Sequence, residues 1–149
     1  IVIILKIWFI SLMVINSKGI KFNFCSNITF LLIEFSLSNK PEDFEEIVYN
    51  LVCSGYKPIV AHAERYNWIT FDEIKFLKNE GALIQVNSDS LLGKNATFKE
   101  KMLARKLYKK QMVDYIASDM HSFRRTSLAA AMKKFRKYPV NSTDILNIK

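Results

Sequence analysis

Pro58-Ile59-Val60-Ala61-His62-Ala63-Glu64-Arg65-Tyr66 is a short apolar run that ends in a histidine and then turns polar. A short apolar run bounded in this way reads as a fully buried strand, which puts His62 at the strand's mouth. The chain's other histidine repeats the arrangement in Tyr115-Ile116-Ala117-Ser118-Asp119-Met120-His121-Ser122-Phe123-Arg124-Arg125. A third apolar run, Ile28 to Phe35, is β-branched and aromatic and is broken near its end by Glu34. In parallel β/α architectures the chemistry gathers at the C-terminal ends of the strands. Glu34, His62 and Asp119 all fall there, with His121 two residues further on.

Between these runs the pattern is helical. Pro41 is expected to open a helix, with Glu42 and Asp43 beside the positive end of its dipole. Phe44, Ile47, Val48, Leu51 and Val52 supply its apolar face, and Gly55 stops it. Thr70 and Glu73 have the spacing of a capping box for a helix that buries Ile74 and Leu77 and ends at Gly81. Ala82 to Val86 reads as a strand, followed by the polar Asn87-Ser88-Asp89-Ser90. A helix over about 96–110 is expected to turn Met102, Leu103 and Leu107 inward. Val113 to Ala117 then reads as a strand, and 127–136 as a last helix. Strands alternating with helices predict an α/β fold with parallel strands and outer helices.

The 149 residues suit one domain, 1–149, and half of them are hydrophobic, enough for a real core. The net charge of +8 would allow an anionic partner. The lysines are scattered, however, and pairs such as Lys109-Lys110 and Lys133-Lys134 read as solvated helix faces, which argues against nucleic acid. Cys25 and Cys53 have neither metal-type spacing nor a cationic neighbour, so both read as core thiols in a reducing cytoplasm. Trp8, Tyr66 and Trp68 read as packing residues. Residues 1–15 are strongly apolar. A signal peptide is the rival reading, but the charge of Lys6 lies inside the run and no small-residue cleavage site follows. The run is short for a membrane span, so a buried strand entering a core helix is expected, without stable membrane insertion. As the first residue is not Met, the chain is expected to begin inside a longer protein.

Two imidazoles and two carboxylates at strand ends can act as metal ligands, and neighbouring arginines can hold a phosphate. Each has a plainer reading. His62 could be a satisfied structural histidine, Asp119 a helix N-cap, Glu34 an exposed strand end, and Glu64 a partner of Arg65.

Leu32-Ile33-Glu34-Phe35-Ser36, the His62-Ala63-Glu64-Arg65-Tyr66 block, Ser90-Leu91-Leu92-Gly93 and Ala117-Ser118-Asp119-Met120-His121 together resemble the bacterial PHP-type tyrosine-protein phosphatases of the CpsB/CapC family. The resemblance implies the PHP fold, here a partial, distorted β/α barrel, and metal-dependent hydrolysis of phosphotyrosine, usually with manganese. It implies Glu34, His62, Asp119 and His121 as metal ligands, with Arg65 and Arg125 on the substrate phosphate. Arg124 is the neighbouring alternative, since Thr126 stands at the spacing the family uses for the second arginine. The implied partner is a phosphotyrosine-containing bacterial tyrosine kinase controlling capsule and exopolysaccharide synthesis in the cytoplasm, and an oligomer is compatible with this. The family's opening His-x-His motif is not found in this chain, and an ungapped match places Lys6 where the family has a ligand glutamate at an earlier strand's end. Weak or absent turnover by this chain is therefore expected. The alternatives are a non-catalytic phosphopeptide-binding remnant, or another PHP phosphoesterase such as a histidinol-phosphate phosphatase.

Overall fold

The structure is a computed structural model that describes residues 4–8, 29–118, 127–138 and 140–142. The strands are β1 (Ile4–Trp8), β2 (Thr29–Glu34), β3 (Tyr56–Val60), β4 (Leu83–Asn87), β5 (Tyr115–Ala117) and β6 (Asn141–Ser142). The helices are α1 (Phe44–Cys53), α2 (Phe71–Asn79), α3 (Ser88–Leu92), α4 (Phe98–Lys109) and α5 (Leu128–Lys134), and a 3-10 turn spans Ala63–Arg65.

The strands lie side by side in chain order in a 6-stranded sheet. From β2 to β6 every neighbouring pair is parallel. A strand order that never reverses is that of an arc of a β/α barrel, as expected. β1 departs from the expected pattern. It runs antiparallel to β2, with Ile4 opposite Glu34 and Lys6 opposite Leu32. Lys6 is therefore in the middle of its strand rather than at its end, and the C-terminal end of β1 faces the start of β2. Residues 1–3 and 9–28, Cys25 among them, lie outside the described residues.

β2 reads as a continuous apolar run because both its faces are covered. Ile33 is 0% exposed and belongs with Val60, Ile84, Val86 and Ile116 to the main core, which also takes in Val48, Ile74 and Leu107 from the helices. Leu32, Ile59 and Ala61 form a smaller cluster of their own.

The helix ends follow their local chemistry. In α2 the Thr70 Oγ1 accepts from the Glu73 amide at 3.2 Å, and the Thr70 amide donates to Glu73 Oε2 at 2.6 Å. α4 repeats the capping box with Thr97 and Glu100. Gly55 and Gly81 follow α1 and α2 with φ of +85° and +99°, in the left-handed region open to glycine. Replacing the exposed Thr97 with alanine removes one cap bond and is expected to lower stability by about 1 kcal/mol, read as a shifted urea midpoint with an unchanged m value.

Three expectations need correction. α1 begins at Phe44 with Asp43 as N-cap, so Pro41 precedes the helix instead of opening it. Met102 is 52% exposed, because Ala104, Leu107 and Tyr108 form the inward face of α4. Cys53 is exposed at the end of α1 rather than buried in the core. The polar stretch after β4 also contains a short helix, α3, which the sequence pattern did not reveal. Asp114, just before β5, ties these layers together. Its carboxylate accepts from Lys78 Nζ of α2 at 2.7 Å and from the Ile84 amide of β4 at 2.8 Å.

Candidate functional site

β2 and β3 are parallel neighbours paired Ile33 to Val60, so both strands end at the same edge of the sheet. This register carries Glu34 and His62 to that edge together, and His62 Nε2 stands 3.8 Å from Glu34 Oε1. That distance is too long for a hydrogen bond. It is shorter than two metal–ligand bonds end to end, about 4.2 Å, so one cation can touch both atoms. The His62 side chain is 9% exposed and that of Glu34 is 29% exposed, leaving a carboxylate edge open to solvent beside a nearly buried imidazole.

His62 also has an unusual backbone. Its φ of 32° and ψ of 50° are left-handed, a conformation that costs a non-glycine residue about 1–2 kcal/mol. This twist ends β3 and starts the 3-10 turn, whose Arg65 amide donates to the His62 carbonyl at 2.8 Å. Imidazole and guanidinium are thus carried on one tight turn, and Arg65 is half-buried.

Glu64, between them, is 1% exposed. Its Oε1 accepts from the Asn87 amide at the end of β4, 3.0 Å away, while Oε2 is buried without a hydrogen-bond partner among the described residues. Burial pushes its carboxyl up to about 7; the Ser90 hydroxyl, the Asn87 amide and the Arg65 charge pull the other way. The sequence offered Arg65 as the partner of this residue and did not reveal its burial.

Tyr66 does more than pack. Its hydroxyl accepts from the Phe35 amide, 3.1 Å away and directly after Glu34, and its ring centre lies 5.5 Å from that of His62. Trp68 stacks on Tyr66 at 5.2 Å and donates from Nε1 to the Ser36 carbonyl at 2.8 Å. The Asn67 amide donates to the Leu37 carbonyl at 2.8 Å.

Asp119, His121, Arg124 and Arg125 lie outside the described residues. Among the described residues no group of three or more His, Cys, Asp or Glu side chains could hold a metal. The structure thus brings Glu34 and His62 together at the sheet's C-terminal edge, with Arg65 on the turn that follows His62; a carboxylate and an imidazole suit a divalent cation, and a guanidinium suits a phosphate.

A model of the family of capsular polysaccharide synthesis proteins CpsB/CapC matches residues 13–143. The chain belongs to the CpsB/CapC family. The tyrosine-protein phosphatase CpsB of Streptococcus agalactiae is 34% identical over 105 residues, covering 65% of this chain and 42% of that protein. The putative tyrosine-protein phosphatase CapC of Staphylococcus aureus is 39% identical over 95 residues, 62% of this chain and 37% of CapC. This CpsB/CapC chain therefore spans about two fifths of the length of the curated relatives it matches. Among solved structures it is similar to one reported with YwqE from Bacillus subtilis and CpsB from Streptococcus pneumoniae, described as unique metal-dependent tyrosine phosphatases. The TM-score is 0.61 at 29% identity, over 71% of this chain and 46% of that one. The α/β, PHP-type partial barrel expected from the sequence is thus the fold of this CpsB/CapC chain. Among its described residues no helix is long and apolar enough to cross a membrane.

Proposed function

We propose that this chain carries part of the site of a metal-dependent protein-tyrosine phosphatase. The observation that carries the reading is the 3.8 Å approach of Glu34 and His62 at neighbouring strand ends, in a chain of the CpsB/CapC family. Glu34 and His62 would hold the metal, with Asp119 and His121 completing the ligand set, and manganese is the expected ion. When bound, the metal supplies Lewis-acid polarisation and a water acidified toward neutral pH.

The protein's own groups do the rest. Glu34 offers a charged, partly exposed oxygen donor. His62 is nearly buried, with its ring against that of Tyr66. Arg65 and Arg125 bind the phosphate and neutralise charge growing on its non-bridging oxygens. No cysteine nucleophile is required, and the thiol of Cys53, at the end of α1, takes no part. The substrate class is a phosphotyrosine segment of a bacterial tyrosine kinase in capsule synthesis, acted on in the cytoplasm.

Turnover by this chain is expected to be weak, since the His-x-His motif of the family is not among its residues. Binding is the sharper test. In calorimetry with a phosphotyrosine peptide, manganese should strengthen binding at least ten-fold over a chelated sample, and Arg65→Ala should remove most of that gain. Binding that survives chelation unchanged would favour a metal-free phosphopeptide module, and no binding in either condition would overturn both readings.

A further inference from the structure

We infer that the segment Tyr66–Trp68 is a clamp that positions Glu34 against His62, with Tyr66 as its central positioning residue; this rests on the metal-site reading above. Glu34 is the last residue of β2, and nothing in the strand ladder fixes the chain beyond it. The next residues are instead held from the far side of the 3-10 turn. Phe35 N–H is bonded to Tyr66 Oη at 3.1 Å, Ser36 C=O to Trp68 Nε1 at 2.8 Å, and Leu37 C=O to Asn67 N–H at 2.8 Å. Three successive residues after one candidate ligand are thus bonded to three successive residues that follow the other by only a few positions. A displacement of either strand end breaks the clamp.

Tyr66 is the member that touches both sides. It is 0% exposed, its ring lies against His62 at 5.5 Å, and Phe35 packs edge-on to it at 6.0 Å. A bond to the residue after a ligand sets that ligand's reach; hydrogen bonds to ligands themselves typically tune metal affinity by about 10- to 100-fold, and this more remote bond should act at the low end of that range.

The chain contains a matched control. Tyr108 Oη also accepts a backbone amide, that of Tyr138 at 3.1 Å, in the packing of α4. The test titrates Mn2+ into the full chain, follows free Mn2+ by its EPR signal, and compares wild type with Tyr66→Phe, Tyr108→Phe and Glu34→Gln. Both Tyr→Phe variants keep the ring and lose one bond; the Phe35 amide is the more deeply buried of the two, so circular dichroism melts should show a loss of Tm in both that is somewhat larger for Tyr66→Phe. Tyr66→Phe should weaken Mn2+ binding roughly ten-fold and speed hydrogen exchange at the Phe35 amide, while Tyr108→Phe stays within two-fold of wild type. Binding that responds to Glu34→Gln but not to Tyr66→Phe, or an equal loss in Tyr108→Phe, overturns the clamp alone. Binding indifferent to Glu34→Gln overturns the metal-site reading and the clamp with it.

Discussion

Glu64→Gln is expected to stabilise the metal-free protein at pH 8 by up to about 3 kcal/mol, while leaving it nearly unchanged at pH 4.5. Glu64 is 1% exposed, so solvent does little to screen its charge. Its carboxyl ionises near 7 in the fold, against an ordinary value of 4.5, chiefly because burial disfavours the anion. The folded state therefore holds the proton more tightly than the unfolded chain. The stabilisation this provides is fully present below pH 4.5 and is lost as the pH rises through about 7. Glutamine keeps an oxygen for the Asn87 amide and cannot ionise, so its profile should be flat through that window where wild type falls. Urea unfolding in chelator at closely spaced pH values from 4.5 to 8 measures the difference, and parallel profiles for the two proteins would contradict it.

Glu34→Gln or His62→Gln should each reduce Mn2+ affinity by at least 100-fold. The first replaces a charged oxygen donor with a weak neutral one and the second removes the imidazole, whereas outer groups alone are typically worth about 10- to 100-fold. The two substitutions should differ in stability. Glu34 is partly exposed at a strand end, so its replacement should cost little. His62 is nearly buried and touches Tyr66, so its replacement disturbs packing in a turn that already carries a left-handed residue. Loss of affinity in both variants, with a loss of stability mainly in the second, is the expected pattern.

The strand ends were legible from the residues because each apolar run stops at a polar residue, and parallel pairing brings those stops to one edge. The capping box at Thr70 was legible because its two partners lie three residues apart. What local pattern cannot carry is direction and distance. The apolar run holding β1 looks the same whichever way it pairs, so its antiparallel course was not foreseen. Pro41 suits a first turn, yet the helix starts at Phe44, which is 1% exposed in the core, with Asp43 as its cap. The spacing of Met102 suggests burial, but α4 has more apolar positions than its packed face can use. The burial of Glu64 and the hydroxyl bond of Tyr66 both depend on partners more than twenty residues away, Asn87 and Phe35, and no spacing rule reaches them. Their proximity in sequence to His62 was the available hint, in a block where polar and aromatic residues crowd against a strand end.

Pulsed EPR on the Mn2+-loaded chain with 15N-labelled histidine reads the metal's nearest neighbours directly. An imidazole 15N coupling should appear in wild type and shrink in His62→Gln, with Glu34→Gln lowering the loaded fraction. No histidine coupling, or one that His62→Gln leaves unchanged, would contradict the assignment of His62 and Glu34 as a shared cation site.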